Sequence, residues 1–217
     1  MISKRIAAVC VGVGVWCAYA GTAGAAVVDM VETFDTRAAA DSWTGYHYDD
    51  GIAYYPVWTN GGNPYIGTSF GYDGSYLYAD AASSDGRFAG DYLAAGATGV
   101  AFEVHCDDPD LIDIISLAFF SGYNGLWYYW DFALNDLAWH ALEAPLDDPR
   151  WYSPTAGAPP MQAWTNVEMI GIEVLGGAPA QRSWIALDNF VLTPEPATAV
   201  LLCAGVVFLR RPGHRRV

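Results

Sequence analysis

The decapeptide Tyr123 to Phe132, YNGLWYYWDF, sets aromatic rings and a carboxylate at a spacing suited to gripping a sugar. As a strand it would alternate, with Leu126, Tyr128, Trp130 and Phe132 on one face and Trp127, Tyr129 and Asp131 on the other. One set must pack the core. The set Trp127, Tyr129 and Asp131 would then offer two flat rings to stack on a saccharide and a carboxylate to accept hydroxyl hydrogen bonds, which makes these three the candidate carbohydrate-binding residues. The competing reading buries both faces, one under a facing sheet and one under a loop such as 152–162.

A second constellation joins VETFDT (Val31 to Thr36) and ALDNFVL (Ala186 to Leu192), each carrying acids beside aromatic strand residues. Domain termini commonly lie together, so Glu32, Asp35 and Asp188 are candidate ligands of a structural Ca2+, a hard cation served by carboxylate and backbone oxygens. An Asp-Asn turn or a solvent-facing Asp188 is the alternative.

Signals for catalysis are weaker. GTSFG (Gly67 to Gly71) fits the G-x-S-x-G elbow around Ser69, but no strand-helix alternation surrounds it, and Asp73 and Gly74 follow where a helix should begin. His47, His105 and His140 are scattered without zinc-ligand spacing. Glycosidase-type acid pairs could be drawn almost at will from so many carboxylates, and nothing singles one out. In VAFEVHC (Val100 to Cys106), Val100, Phe102, Val104 and Cys106 share one side, which assigns the thiol to the core and His105 to the outside. The expectation is a protein without catalytic residues.

The elements that must position these groups read as strands. Turn pairs at Asn60 to Gly62, Asp73–Gly74, Asp85–Gly86, Asn124–Gly125 and Gly176–Gly177 punctuate apolar, aromatic-rich runs. The runs are Ile52 to Trp58, Ser75 to Ala79, Val100 to Cys106, Ile112 to Phe120, Leu126 to Phe132, Val167 to Leu175 and Trp184 to Leu192. Ile112 to Ser121 and Leu126 to Phe132 flank SGYNG and form a hairpin. Leu134 to Leu142 also matches helical periodicity, yet a strand near Trp139 to Ala144 is favoured because neighbouring strands need a partner. A helical turn is expected at Arg37 to Ala40, capped by Thr36. The fold class is therefore all-β, an antiparallel β-sandwich.

Both ends carry processing segments. Lys4 and Arg5, an apolar run from Ile6 to Ala20, and small residues at Ala23 to Ala25 read as a cleaved secretory signal peptide over residues 1–25. The remaining body, 27–193, is one domain, and its four arginines face 23 carboxylates for a net charge of −19. Such a body repels nucleic acid and anionic lipid. At the other end the apolar run Ala197 to Leu209 precedes an arginine cluster. Thirteen residues at ~1.5 Å each fall short of a ~30 Å hydrocarbon core, so the segment reads as a temporary membrane anchor.

Pro194, Glu195 and Pro196, the short apolar stretch and the arginines together resemble the PEP-CTERM sorting signal of Gram-negative bacteria. That resemblance implies residues 194–217 are a sorting segment with a short transmembrane helix, and that Pro194, Glu195 and Pro196 are the motif read by an exosortase-type protease. It further implies, with signal peptidase acting at the start, delivery to the cell surface or extracellular matrix. The body more loosely resembles the jelly-roll domains of such proteins and of carbohydrate-binding modules, through ETFDT with Trp43 downstream, FAGDYLAAGATGVAFEV (Phe88 to Val104) and LDNFVL. The combined expectation is a non-enzymatic surface or matrix protein that binds exopolysaccharide, with a purely structural or adhesive protein second and a secreted hydrolase third.

Overall fold

Strand alternation and glycine turns build two antiparallel sheets in the computed structural model, which describes residues 31–49, 51–80, 87–177 and 182–194. The first sheet contains β1 (Val31–Glu32), β4 (Val57–Thr59), β5 (Tyr65–Phe70), β7 (Ala97–Cys106), β10 (His140–Pro145) and β12 (Ser183–Pro194). Its order is β10-β7-β12-β5-β4, with β1 also paired to β12. The second contains β2 (Thr44–His47), β3 (Ala53–Tyr54), β6 (Ser75–Asp80), β8 (Ile112–Ser121), β9 (Leu126–Phe132) and β11 (Val167–Gly176), in the order β3-β2-β6-β11-β8-β9. The chain is the jelly-roll-like β-sandwich expected.

Local chemistry explains most elements. In the β8-β9 hairpin Ser121 pairs with Leu126, and Gly125 takes the turn at φ 70°, a conformation open to glycine. Helix α1 (Arg37–Asp41) begins at Thr36, whose hydroxyl accepts the Ala39 N–H at 3.2 Å. The ambiguous stretch before Pro145 is a strand, because β10 completes the edge of β7 from His140 against Val104 onwards. The run Ile52 to Trp58 is not one strand. Pro56 separates β3 from β4, which belong to different sheets.

Strands β2 and β5 were hidden by glycine. A side chain at Gly45 would collide with the Tyr54 ring, and one at Gly67 with the Trp184 ring, so these are sites of close approach within strands rather than turns. Ser69 lies inside β5, and a glycine turn to β6 follows it instead of a helix. Among the described residues its hydroxyl bonds to no histidine or carboxylate, and the elbow reading has no geometric support.

The core between the sheets is aromatic. Trp43 is fully buried, edge-on to Phe34 at 5.4 Å and Phe190 at 5.1 Å, and Phe190 meets Phe88 at 5.1 Å. Further along, Phe119 stacks on Trp164 at 3.9 Å with Trp151 edge-on. Cys106 is buried beside Ser183, and burial pushes its thiol above the ordinary range, as befits a space-filling residue. Truncating Trp43 to alanine removes the hub of the first cluster and is expected to cost about 3–5 kcal/mol in a urea titration. Arg37→Ala, at a side chain 74% exposed, should change stability by less than about 0.5 kcal/mol.

Candidate functional site

Core-facing residues of the second sheet fix what its other face presents. Tyr128 and Trp130 are buried in the core, with Leu126 and Phe132 packed against it, and this turns Trp127, Tyr129 and Asp131 outward. Cross-strand register then aligns three rows on that outer face. Tyr46, Tyr76, Glu173, Ser116 and Asp131 form the first, crossing five strands from β2 to β9. Thr44, Tyr78, Gly171, Ala118 and Tyr129 form the second, and Asp80, Met169, Phe120 and Trp127 the third. At ~4.8 Å between strands each five-strand row is roughly 19 Å long.

The rings on this face touch one another. Tyr76 lies 5.2 Å from Tyr78 and 5.4 Å from Trp127, while Trp127 lies 5.5 Å from Phe120 and 6.4 Å from Tyr129. Tyr129 is 5% exposed and Trp127 half-buried. Part of the cover is the chain after Trp151, where Tyr152 pairs with Tyr129 through two backbone hydrogen bonds and sets its ring 6.0 Å away. Beyond Ser153 the loop tip, 154–157, is exposed.

Carboxylates on the face are held in place. Asp131 Oδ1 accepts from Ser116 Oγ at 2.6 Å and Oδ2 from Tyr152 Oη at 2.9 Å. Glu173, 5% exposed, accepts from Tyr48 Oη at 2.7 Å, and Tyr76 Oη donates to the Ala118 carbonyl at 3.0 Å. Asp131 is thereby held exposed on the face with both oxygens oriented by hydroxyl partners. The sequence reading named Trp127, Tyr129 and Asp131 and missed Tyr46, Tyr48, Tyr76, Tyr78, Tyr152 and Glu173. The alternating tyrosines of TGYHY and SYLY were the available signal.

The candidate cation ligands are distributed differently. β1 does pair with β12, Glu32 opposite Phe190. Glu32 Oε1 accepts the Phe34 N–H at 2.9 Å, and Oε2 meets Arg87 at 2.5 Å. Asp188 accepts from the Asn189 N–H at 2.7 Å and Asn63 Nδ2 at 2.9 Å, while Asp35 accepts from Thr33. Burial first, with repulsion from Glu103 and Asp35, pushes the Asp188 carboxyl above its usual range, partly offset by these donors. Among the described residues no group of three histidine, cysteine, aspartate or glutamate side chains is placed to hold a metal ion. His47 bonds to Ser75, His105 to Asp107 and His140 to Asp136. Pro194 ends β12 opposite Ala97; Glu195, Pro196, the signal peptide and the apolar tail lie outside the described residues. Among the described residues no helix is long and apolar enough to cross a membrane.

Burial, then the Glu173 charge, pushes the Tyr48 and Tyr76 phenols well above their usual range, and burial with Asp80 does the same for Tyr78. They remain neutral donors at physiological pH. A raised folded pKa means the stabilisation is complete below the unfolded tyrosine value of ~10 and is lost as pH climbs from there through the folded values. Because no lysine follows Lys4, thermal melts at pH 8 and pH 11 read these phenols with little interference. The midpoint should fall at pH 11, and less so in Tyr76→Phe.

No protein-family profile matches the chain, and no curated protein sequence does. Solved structures do. A family 11 carbohydrate-binding module of the cellulosomal cellulase Lic26A-Cel5E of Clostridium thermocellum aligns at 16% identity and TM-score 0.50, covering 79% of this chain and 96% of the module. The agarase AgWH50C aligns at 9% identity and TM-score 0.50 over 77% of this chain, but over only 25% of the agarase. At such identities the likeness establishes the β-sandwich fold that this chain shares with those modules.

Proposed function

We propose that the chain is a non-catalytic polysaccharide-binding β-sandwich whose site is the outer face of the β3-β2-β6-β11-β8-β9 sheet. The observation that carries this reading is the set of cross-strand rows, which bring tyrosine and tryptophan rings and fixed carboxylates onto one face over roughly 19 Å. Rings supply flat contact for the apolar faces of sugars, and Asp131 and Glu173 supply acceptors for hydroxyls. The fold likeness to a cellulase's carbohydrate-binding module supports the same reading.

A purely structural or adhesive role is the second reading. It is favoured by the near-complete cover of Tyr129 and the engagement of both Asp131 oxygens by Ser116 and Tyr152. Affinity electrophoresis through gels containing soluble polysaccharides separates the two. The Trp127→Ala, Tyr129→Ala double variant, checked by thermal melting to be folded, should bind at least tenfold more weakly, about 1.4 kcal/mol. Binding equal to the parent's would place the site elsewhere.

Sorting by the PEP-CTERM route, with exosortase and signal peptidase as processing partners, is part of the same proposal and rests on the two chain ends. Intact-mass measurement of protein released from the cell surface should yield a chain starting near Ala26 and ending near Pro194. Recovery of a chain still carrying the C-terminal arginines would contradict it.

A further inference from the structure

The opposite face of the molecule carries a second set of rings. On the first sheet, Val104, Cys106, Ile185 and Leu187 point into the core, so His105, Ala186 and Asp188 point away from it. Register places Tyr65 opposite Asp188 through Ile66 opposite Leu187, and Asp188 opposite Glu103, in one outward row. Trp139, just before β10, reaches over this surface, its ring 5.4 Å from His105 and 5.3 Å from Tyr65. β10 and β5 are separated by β7 and β12, so Trp139 bridges that gap, on a face where the small residue Ala186 is fully covered although it points outward. Trp139 nonetheless remains 37% exposed, and Leu137 beside it 63%.

Fixed acceptors border the rings. Glu103 Oε2 accepts from Asn189 Nδ2 at 2.9 Å and Asp107 is held by His105, while Asp188, buried beneath them, is held by Asn63 and Asn189. Glu103 and Asp107 are each oriented by one donor, fewer than the acceptor positions a carboxylate offers. The patch thus has the two components found on the second sheet, flat rings and oriented carboxylates, on the far side of a sandwich whose sheets pack ~10 Å apart.

Charge selects among occupants. A symmetric contact between two copies would set Glu103 and Asp107 against their own equivalents, on bodies of net charge −19 without a lysine, which opposes self-association. The same field repels acidic polymers. We infer that Trp139, Tyr65 and His105, flanked by Glu103 and Asp107, form a second saccharide-binding surface for a neutral polysaccharide, so that one molecule joins two polysaccharide chains. This rests on the proposed polysaccharide reading and extends it from binding to cross-linking.

The test uses the full secreted protein with barley β-glucan, laminarin and dextran as neutral probes and polygalacturonate as an acidic one. Retardation in native gels and turbidity on mixing are the two readouts, with sedimentation of the free protein as a third. The parent should be retarded by a neutral probe, turn it turbid, and sediment as a monomer, while polygalacturonate leaves it unretarded. Trp139→Ala and, as a milder change at an exposed position, Leu137→Asp should each abolish turbidity yet keep at least half of the retardation. The Trp127→Ala, Tyr129→Ala variant should also lose turbidity while binding at least tenfold more weakly, the residual retardation coming from the second surface, and combining both sets should abolish retardation. Brief N-bromosuccinimide oxidation of the parent, read by peptide mass, should modify Trp139 in the free protein and spare it with the neutral probe.

The outcomes separate the two claims. Turbidity unchanged in Trp139→Ala and Leu137→Asp, or Trp139 oxidised equally with and without the probe, overturns the second surface and leaves the first standing. Full retardation in Trp127→Ala, Tyr129→Ala with none in Trp139→Ala overturns the first surface and keeps the second as the binding site. A dimeric parent with Trp139 protected in the absence of polysaccharide assigns the patch to self-association and overturns the inference.

Discussion

Strand β12 has to serve three partners, and one irregularity makes that feasible. It pairs with β7 along one edge, while its other edge pairs first with β5, through Ser183 to Leu187, and then with β1, through Phe190 and Val191. Between these segments three steps of β12, Asp188 to Val191, pass against two of β7, Glu103 to Ala101, and Asn189 sits at φ 47°. This is a β-bulge at a residue type that tolerates the left-handed conformation. It returns Phe190 to the core beside Trp43 and directs Asn189 Nδ2 to Glu103. The same bulge therefore lets the first and last described strands pair, completes the aromatic hub and orients a carboxylate on the outer face of the first sheet.

Arg87 is the counterpart of that junction. Its guanidinium meets Glu32, whose other oxygen takes the Phe34 N–H, and the pair secures β1 next to the bulge. A buried carboxylate without such partners would carry a desolvation cost of several kcal/mol. In a body with 23 acids and four arginines, where those arginines fall is decisive. Arg150 clamps Asp148 and lies 4.3 Å over Trp130, holding the segment that leads to Tyr152 and so to Asp131.

The sandwich was legible because its signals are local. Alternation in Val100 to Cys106 and Leu126 to Phe132, the Asn124–Gly125 turn and the Thr36 cap each specify structure through neighbours in sequence. What escaped depends on partners far along the chain. Gly45 and Gly67 interrupt the patterns of β2 and β5 and make sense only once Tyr54 and Trp184 are seen against them, and Ile52 to Trp58 reads as one strand although Pro56 sends its halves to different sheets. The site shows the same division. Trp127, Tyr129 and Asp131 follow from the alternation of one strand, whereas Tyr46, Tyr76 and Glu173 join them only through the register of β2, β6 and β11. The cover supplied by Tyr152 depends on a bridge between residues 129 and 152, which no periodicity announces.

The central claim is that saccharide is bound by the rows crossing the second sheet. Backbone amide chemical shifts of isotope-labelled protein, followed during titration with a neutral oligosaccharide series, test it most directly. The account requires the large, saturable shifts to include amides of Tyr46, Tyr76, Trp127, Tyr129 and Asp131 on that sheet. Saturable shifts confined to other surfaces, or none with any member of the series, would contradict it.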